Sequence, residues 1–483
     1  MKVVLVRPPE TNRIWAGIPR FFNDGIFLFP PLGIMQLKAY IEKYTRHKVI
    51  IYDSLIHRAD YEKLAYFIKK TSPRVVGIST FTHSLGDVVE TAKTVKRVDP
   101  LIHVVLGGPH TYSFPEESGY LLDLGCVDSV ILGDGEKTLA AALEAIDNNT
   151  GFDGNEGIIY KDKRKNTVKI GDPVFIKNLD ELPFPSRDIY GIKRYYTPAS
   201  HGNSMTTMIT GRGCPYDCKF CDVQKRYRPR SIKNVVDEIE LCGKLGFKEV
   251  FLIDDTFNTT KDRVIRLSEE ILKRGIKIKW GCKARCDNMD ADVLKIAKKA
   301  GCVRIHYGVE TGTDSGLDSI DKRVGLDTMR SAFSEAKRAG IRTVAYFMIG
   351  CPHEKDGSNI LETIDFARNL AADFAVFSLL SPYPDTAFYR EGVKRGVLDP
   401  RFWQQFMKNP CFHGDIPTLW DEYFSGDELL RFLKLAHRKF YYRPKIFFNA
   451  LFNIHSLTEL KRLLIGELSL LRLEFLRKTK GRL

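Results

Sequence analysis

Short apolar runs rich in β-branched residues alternate with helical patterns along most of this 483-residue chain, and that alternation leaves few folds open. Parallel neighbours in a sheet need a long crossover between them, and a helix is the usual one. From residue 1 to about 145 the strand-like runs are 3–6, 49–52, 75–79, 103–107 and 129–132. Helical patterns at 33–44, 60–70, 86–98 and 136–146 lie between them. This predicts an α/β, doubly wound parallel sheet of Rossmann-like kind over residues 1–147. Such sheets bind ligands at the carboxyl ends of their strands. The glycine-rich and polar turns fall at those ends: Arg7-Pro-Pro9, Ser79-Thr80, Gly107-Gly-Pro-His110 and Gly133-Asp-Gly-Glu136.

A second alternating series follows, with strands expected at 205–210, 249–253, 276–281, 303–308, 343–349 and 374–379. Helical patterns such as 234–245 and 263–273 separate them. Six β/α units predict a partial barrel over residues 201–395, with its chemistry at the carboxyl ends of the strands. Residues 148–200 read as a linker, because they are polar, irregular and carry the prolines of Leu182-Pro-Phe-Pro-Ser186. Residues 396–483 read as a helical, basic and aromatic-rich C-terminal region, placed to cap the barrel mouth.

One loop carries the chemistry. Gly211-Arg-Gly-Cys-Pro-Tyr-Asp-Cys-Lys-Phe-Cys-Asp222 holds Cys214, Cys218 and Cys221 in a Cys-x3-Cys-x2-Cys run just after the first strand of the second series. Three thiolates on one tight loop hold three irons of a 4Fe–4S cube and leave the fourth iron open to a chelating ligand. A structural zinc site wants four ligands, usually two Cys-x2-Cys pairs, and no second pair lies nearby. Ten cysteines in 483 residues is too sparse for a disulfide framework. The N-terminus reads as a strand and not as a targeting sequence, so the cytoplasm is the expected location. No run of about 18 uninterrupted apolar residues occurs, so no transmembrane helix is expected. Charge is uneven: the net is +14, and residues 426–483 carry thirteen Lys or Arg against five Asp or Glu. A basic tail suits nucleic acid or an anionic membrane surface.

The cysteine spacing resembles that of the radical S-adenosylmethionine enzymes. The first half resembles the cobalamin-binding domain of their class B. The matching pieces are Arg7-Pro-Pro9, Pro30-Pro-Leu-Gly33, Val76-Gly-Ile-Ser79, Gly107-Gly-Pro-His110 and Gly133-Asp-Gly-Glu136. The organisation is similar to that of the anaerobic magnesium-protoporphyrin ester cyclase and the hopanoid methylases, over about residues 1–395. The resemblance implies three cofactors: a 4Fe–4S cluster, S-adenosylmethionine and cobalamin. The Asp-x-His-x-x-Gly signature of other cobalamin proteins is absent, which implies no histidine ligand below cobalt. The resemblance also implies reductive cleavage of S-adenosylmethionine, hydrogen abstraction from an unactivated carbon and methyl transfer from methylcobalamin. An electron donor such as flavodoxin or ferredoxin would feed the cluster.

Residue by residue, the resemblance places the cofactors on later strand ends. Asp254 and Asp255 match the second-strand motif beside the methionine ammonium. Their alternative is a helix N-cap. Arg285 matches an arginine that reaches the cofactor carboxylate, Glu310 a ribose or methionine contact, and Gly350 the backbone packed on adenine. Gly107, Gly108, Gly133, Gly135 and Glu136 are the cobalamin-domain candidates. Cys351 stands where Leu is usual and reads as a small buried hydrophobe. Cys282 and Cys286 read as core. His83, His110, His306 and His353 lie nearest strand ends, with no role assigned. Cys126 and Cys411 are too few for the auxiliary clusters of related subgroups.

Three functions follow. The first is methylation of an unactivated carbon, with a lipid- or isoprenoid-like substrate favoured by the tail. The second is radical oxidation or cyclisation without methyl transfer. The third, from another class, is a cluster-bearing nucleic-acid-binding protein, for which no recognised module appears. Residues 429–442 and 457–476 mix leucines, aromatics and cations at helical spacing, which suits two interfacial helices.

Overall fold

The computed structural model describes residues 1–12, 28–162, 167–187, 195–197, 200, 204–408 and 419–443. They gather into two compact units: 1–12, 31–187 and 382–408 belong to one, and 28–30, 195–381 and 419–443 to the other.

In the first unit, β1 (Lys2–Arg7), β2 (Lys48–Asp53), β3 (Val75–Ser79), β4 (His103–Gly107) and β5 (Ser129–Ile131) form a parallel sheet in the order β2-β1-β3-β4-β5. The order reverses between β1 and β3, so the switch point opens between their carboxyl ends. Alternate residues of each strand enter separate cores. Val4, Val6, Val76, Ile78, Val104 and Leu106 pack on one face, while Val3, Leu5, Val49, Ile51, Val105 and Ile131 pack on the other. A sheet covered on both faces must read as continuous apolar runs, and these strands do.

The stretch expected as an irregular linker adds two strands. β6 (Ile158–Asp162) pairs antiparallel with β5, and β7 (Thr167–Ile170) pairs with β6. Their apolar signal is weak because this is a sheet edge: β6 is buried only at its start, and Val168 and Ile170 stay exposed. Helices Ala387–Lys394 and Phe402–Lys408 also belong to this unit, where Tyr389, Trp403, Phe406 and Met407 join the core on one face of the sheet. Part of the expected cap over the barrel mouth is thus core of the first unit.

The second unit opens with β8 (Met205–Met208), then a short ribbon of β9 (Gly211–Arg212) and β10 (Arg228–Pro229), then β11 (Glu249–Leu252), β12 (Lys279–Ala284), β13 (Cys302–Glu310), β14 (Arg342–Ile349) and β15 (Phe374–Leu379). Six strands run parallel in the order β8-β11-β12-β13-β14-β15, a partial barrel. Trp280, Cys282, Tyr307, Phe347 and Phe377 are fully buried on the helix-covered outside. Glu249, Phe251, Arg304, His306 and Tyr346 face the lumen. β12 begins three residues later than the sequence suggests and runs through Gly281 to Ala284. Gly281 is not a terminator. A Cβ there would lie 2.6 Å from the Arg304 side chain, so the glycine makes room for Arg304 across the lumen floor. Arg304 pairs with Glu249 at 2.8 Å, bonds Thr197 and lies 4.3 Å over the Phe251 ring.

Helix Gly426–Tyr441 starts at a Ser425–Glu428 capping box. It buries Leu429, Leu433, Ala436, His437 and Phe440. The Tyr441 hydroxyl donates to the Ala375 carbonyl at 2.7 Å and accepts from the Ala375 amide, so it closes part of the free edge of β15. The apolar face of the first expected interfacial helix is therefore spent on the barrel. The second, 457–476, and Cys411 lie outside the described residues. No helix among the described residues is long and apolar enough to cross a membrane.

Candidate functional site

The β9–β10 ribbon ties off the cysteine loop, so residues 213–227 form a closed excursion after the first barrel strand. Gly213 sits at φ 81°, and a Cβ there would collide with the Arg226 carbonyl. Only glycine fits this turn. Within the loop the Cys214 amide donates to Gln224 O at 2.8 Å and the Cys221 amide to Cys218 O at 3.1 Å. Lys225 Nζ caps Tyr216 O at 2.8 Å. Cys214 Sγ lies 3.1 Å from Thr256 Oγ1. All three thiols are free and half-buried. Among the described residues no three Cys, His, Asp or Glu side chains are arranged around a single metal ion. A cube takes one thiolate per iron and needs no such convergence.

Burial raises the Cys218 thiol, opposed by the Lys322 and Arg285 cations, and pushes Cys221 up to about 12. These thiols do not ionise unaided at neutral pH; iron would have to displace their protons. The residues fit a cluster: three free thiols on a constrained loop with two cations beside one of them.

Around this loop the two aspartates separate in role. Asp254 is fully buried and accepts from the Thr210 and Gly211 amides and the Thr210 hydroxyl. Burial pushes it up to about 6 against those bonds. It braces the exit of β8, and its oxygens are occupied. Asp255 is open, and accepts one bond from the Gly213 amide at 3.1 Å. Neither residue is the N-cap of the following helix, a place taken by Thr260.

Arg285 is committed too. It bonds Asp287 at 2.9 and 3.0 Å, donates to Lys322 O at 2.9 Å and stacks on Tyr216 at 3.7 Å. Glu310 ends β13 at φ 73°, a rare conformation for a residue with a side chain, and binds Lys322 Nζ at 2.8 Å. Gly350 follows β14 at φ 85°, and Glu354 accepts from the Gly350 and Cys351 amides. Burial pushes Glu354 up to about 7. Cys351 is buried among its neighbours, as is Cys282, with Cys286 close behind.

Sequence reading missed Lys322, Glu354 and Lys283. Lys322 lies in a turn with no strand-end signal. Glu354 is four residues past a glycine it was not linked to. Lys283 was placed beyond the end of its strand.

The histidines divide likewise. His110 is fully buried against Thr82 Oγ1, and burial pushes it down to about 3. His306 bonds the Tyr346 hydroxyl at 2.8 Å in the lumen. Burial pushes His353 down to about 4. His83 is half-exposed beside Phe81.

At the carboxyl edge of the first sheet, Gly108 packs its backbone on Thr80, with room for no Cβ, and Gly133 does the same on Val174. Gly135 lies against Leu37, and Glu136 is buried. Gly107, Gly108 and Pro109 at the exit of β4 keep some exposure, and Phe81 after β3 is exposed. Side-chain-free backbone and an exposed aromatic at strand exits are compatible with a flat macrocycle.

Two family models match. The radical SAM superfamily matches residues 208–367, and the B12 binding domain matches residues 27–143. An uncharacterised methyltransferase of Pyrococcus horikoshii is 30% identical over 461 residues, covering 94% of this chain and 96% of that protein. The anaerobic magnesium-protoporphyrin IX monomethyl ester cyclase of Rubrivivax gelatinosus is 28% identical, covering 79% of this chain and 70% of its own. Among solved structures, the radical S-adenosylmethionine methyltransferase TsrM of Kitasatospora setae, with tryptophan substrate and a S-adenosylmethionine analogue bound, superposes with a TM-score of 0.66 at 20% identity. That match covers 82% of this chain and 76% of that one.

Proposed function

This chain belongs to the cobalamin-dependent radical S-adenosylmethionine methyltransferase family, and from that premise we propose that it methylates an unactivated carbon of a small, lipid- or isoprenoid-like molecule. The observation that carries the reading is the constrained Cys214–Cys218–Cys221 loop after the first barrel strand. When bound, the cluster and S-adenosylmethionine supply one-electron cleavage chemistry and the corrinoid supplies a methyl group. Cys214, Cys218 and Cys221 would hold the cluster. Asp255 offers its carboxylate beside that loop, while Asp254 keeps the loop's root in place. Lys322 and Arg285 set positive charge next to Cys218, which favours the thiolate over the thiol. The Glu310–Lys322 pair keeps that lysine from turning away. Gly350, at the exit of β14, is the backbone position proposed to lie against the adenine, with its amide held by Glu354. Gly107, Gly108 and Phe81 would meet the corrin.

Product analysis decides the reaction. Reduced, reconstituted enzyme with cellular lipid extract and S-adenosylmethionine deuterated at its methyl group is expected to yield a lipid carrying one trideuteromethyl group. An oxidised or ring-closed product without label would establish the second reading, which the similarity to a cyclase favours. Formation of 5′-deoxyadenosine with no altered lipid would remove the lipid-substrate claim.

The membrane reading now rests on the tail alone. Beyond Arg443 the sequence carries eight Lys or Arg against three Glu. Each cation near an anionic surface contributes about 1 kcal/mol, weakened by salt. Full-length protein is expected to sediment with anionic liposomes in low salt, and a chain ending at Arg443 to do so at least about tenfold less. Equal sedimentation of the two would leave no basis for a membrane-derived substrate. An electron donor of the flavodoxin or ferredoxin kind completes the proposed system.

A further inference from the structure

The two ends of the barrel differ in charge. In a parallel β/α barrel each helix ends beside the start of the next strand, so the helix-to-strand turns share one rim. Here those turns are 244–249, 273–279, 298–302, 337–342 and 368–374, and they lead into β11 to β15. The strand starts are neighbours in the sheet: Glu249 is level with Lys279, Trp280 with Cys302, and Arg304 with Arg342. The five turns hold twelve Lys or Arg against two acidic residues, Glu249 and Asp373. Glu249 is spent on Arg304, and Asp373 on the Thr343 amide. At the other rim, helices Lys261–Lys273, Ala291–Lys299 and Leu326–Arg338 open with Asp262, Asp292 and Asp327.

A cation at a helix C-terminus is ordinary, because it complements the helix dipole. Several of these also pair with an acid one turn back on their own helix: Lys244 with Glu240, Arg274 with Glu270, Arg338 with Glu335 and Arg368 with Asp365. Lys248 and Lys277 stand past the ends of their helices. They and Lys299 are exposed, and none of the three makes a side-chain hydrogen bond or ion pair with a described residue. Two leucines stand among these cations. Leu245 and Leu272 are 42% and 43% exposed, next to Lys244 and Lys273. Exposed apolar side chains between unpaired cations suit the boundary between headgroups and acyl chains. The course of the chain points to the same rim. Tyr441 bonds Ala375 at the start of β15, and Arg443 donates to the Arg368 carbonyl. The basic sequence 444–483 therefore continues from the rim that carries the cations.

We propose that this rim docks on an anionic membrane surface, with Lys248, Lys277 and Lys299 at the headgroups and Leu245 and Leu272 at the edge of the acyl chains. The inference deepens the membrane reading above, and it depends on neither the cluster nor a lipid substrate. A nucleic acid would use the same cations, but the turns offer no exposed aromatic side chain on which to stack a base. The exposed leucines favour lipid.

Co-sedimentation of the full-length chain with vesicles in low salt tests this. Vesicles of phosphatidylcholine with phosphatidylglycerol are expected to pull the protein down, and vesicles of phosphatidylcholine alone to leave it in solution. Lys248→Gln, Lys277→Gln and Lys299→Gln together are expected to weaken partition into the anionic vesicles roughly ten- to a hundredfold. Lys233→Gln, Lys261→Gln and Arg330→Gln remove the same charge from the opposite rim, beyond the reach of the headgroups, and are expected to change partition by less than about twofold. Leu245→Ser with Leu272→Ser should lower the binding that survives in high salt. All these side chains are exposed, so an unchanged thermal transition is part of the expected result. Equal weakening by the two charge triplets would mean that net charge alone drives the contact, and would overturn the proposal. A rim triplet that partitions like the unaltered chain would overturn it too, leaving the tail to act by itself. If the anionic vesicles never sedimented the protein, while the rim triplet lost affinity for a fluorescent single-stranded RNA, the face would serve nucleic acid and the membrane assignment would fall. No reductant or S-adenosylmethionine enters these measurements, so failure of the methylation reading would show separately, in the product assay.

Discussion

Replacing Cys214, Cys218 and Cys221 together by alanine is expected to abolish the charge-transfer absorption of the cluster and all reductive cleavage of S-adenosylmethionine. No other thiol among the described residues of this unit can stand in. Cys242, Cys282, Cys286, Cys302 and Cys351 are buried in the unit's core, away from the loop. The fold should survive, because the three thiols line a half-buried surface loop whose shape depends on Gly213, the β9–β10 ribbon and Asp254. An unchanged thermal transition of the apo-protein is therefore part of the expected result. In the unaltered enzyme, burial raises the Cys218 and Cys221 thiols, so protons compete with iron. Anaerobic cluster assembly should accordingly become more complete as pH rises through the alkaline range. Cleavage activity retained in the triple variant would end the radical reading.

The second large effect falls on stability. Arg304 and Glu249 are both essentially fully buried, 2.8 Å apart at the lumen floor. Removing one partner strands a buried charge, at about 3–5 kcal/mol. A whole domain is typically stable by only about 5–15 kcal/mol. Arg304→Ala is therefore expected to bring the barrel unit near its unfolding threshold, read as a large fall in the urea midpoint. It would also empty the space over Gly281 and Phe251. Replacing the pair together, Arg304→Met with Glu249→Leu, should recover most of the loss, since apolar groups of similar volume carry no desolvation penalty. A cost for Arg304→Ala below about 1 kcal/mol would mark the pair as solvent-screened, like an exposed one.

Much of this protein was legible in its residues, for a physical reason. Strands covered on both faces must be apolar throughout, so β1, β3 and β4 announce themselves as uninterrupted runs. The order of strand and helix then dictates parallel sheets. The cysteine loop was legible because its ligands are local: three thiols within eight residues define the chemistry without any fold. Such a motif says which group is held, and its position after a strand says where.

Signals that depend on distant partners stayed hidden. β6 and β7 are half-exposed edge strands, and only pairing to β5 makes them strands. Gly281 looked like a strand end, because nothing local tells that Arg304, from the next strand, needs its missing side chain. The amphipathic helix 426–441 offers the same pattern to a lipid surface and to a barrel wall; Tyr441 on the edge of β15 shows which it took.

Roles within the site divided in the same way. The sequence by itself determined the two-part α/β architecture, the cluster loop and the strand ends that surround it, since these follow from period and spacing. Only the tertiary structure decided which charges there are spent and which are open. Asp254 and Arg285 are consumed by bonds to residues 2 to 44 positions away, while Asp255 and Lys283 are left facing the lumen. A charged group's availability is set by what the fold brings within about 4 Å of it, and that is not written in its neighbours along the chain.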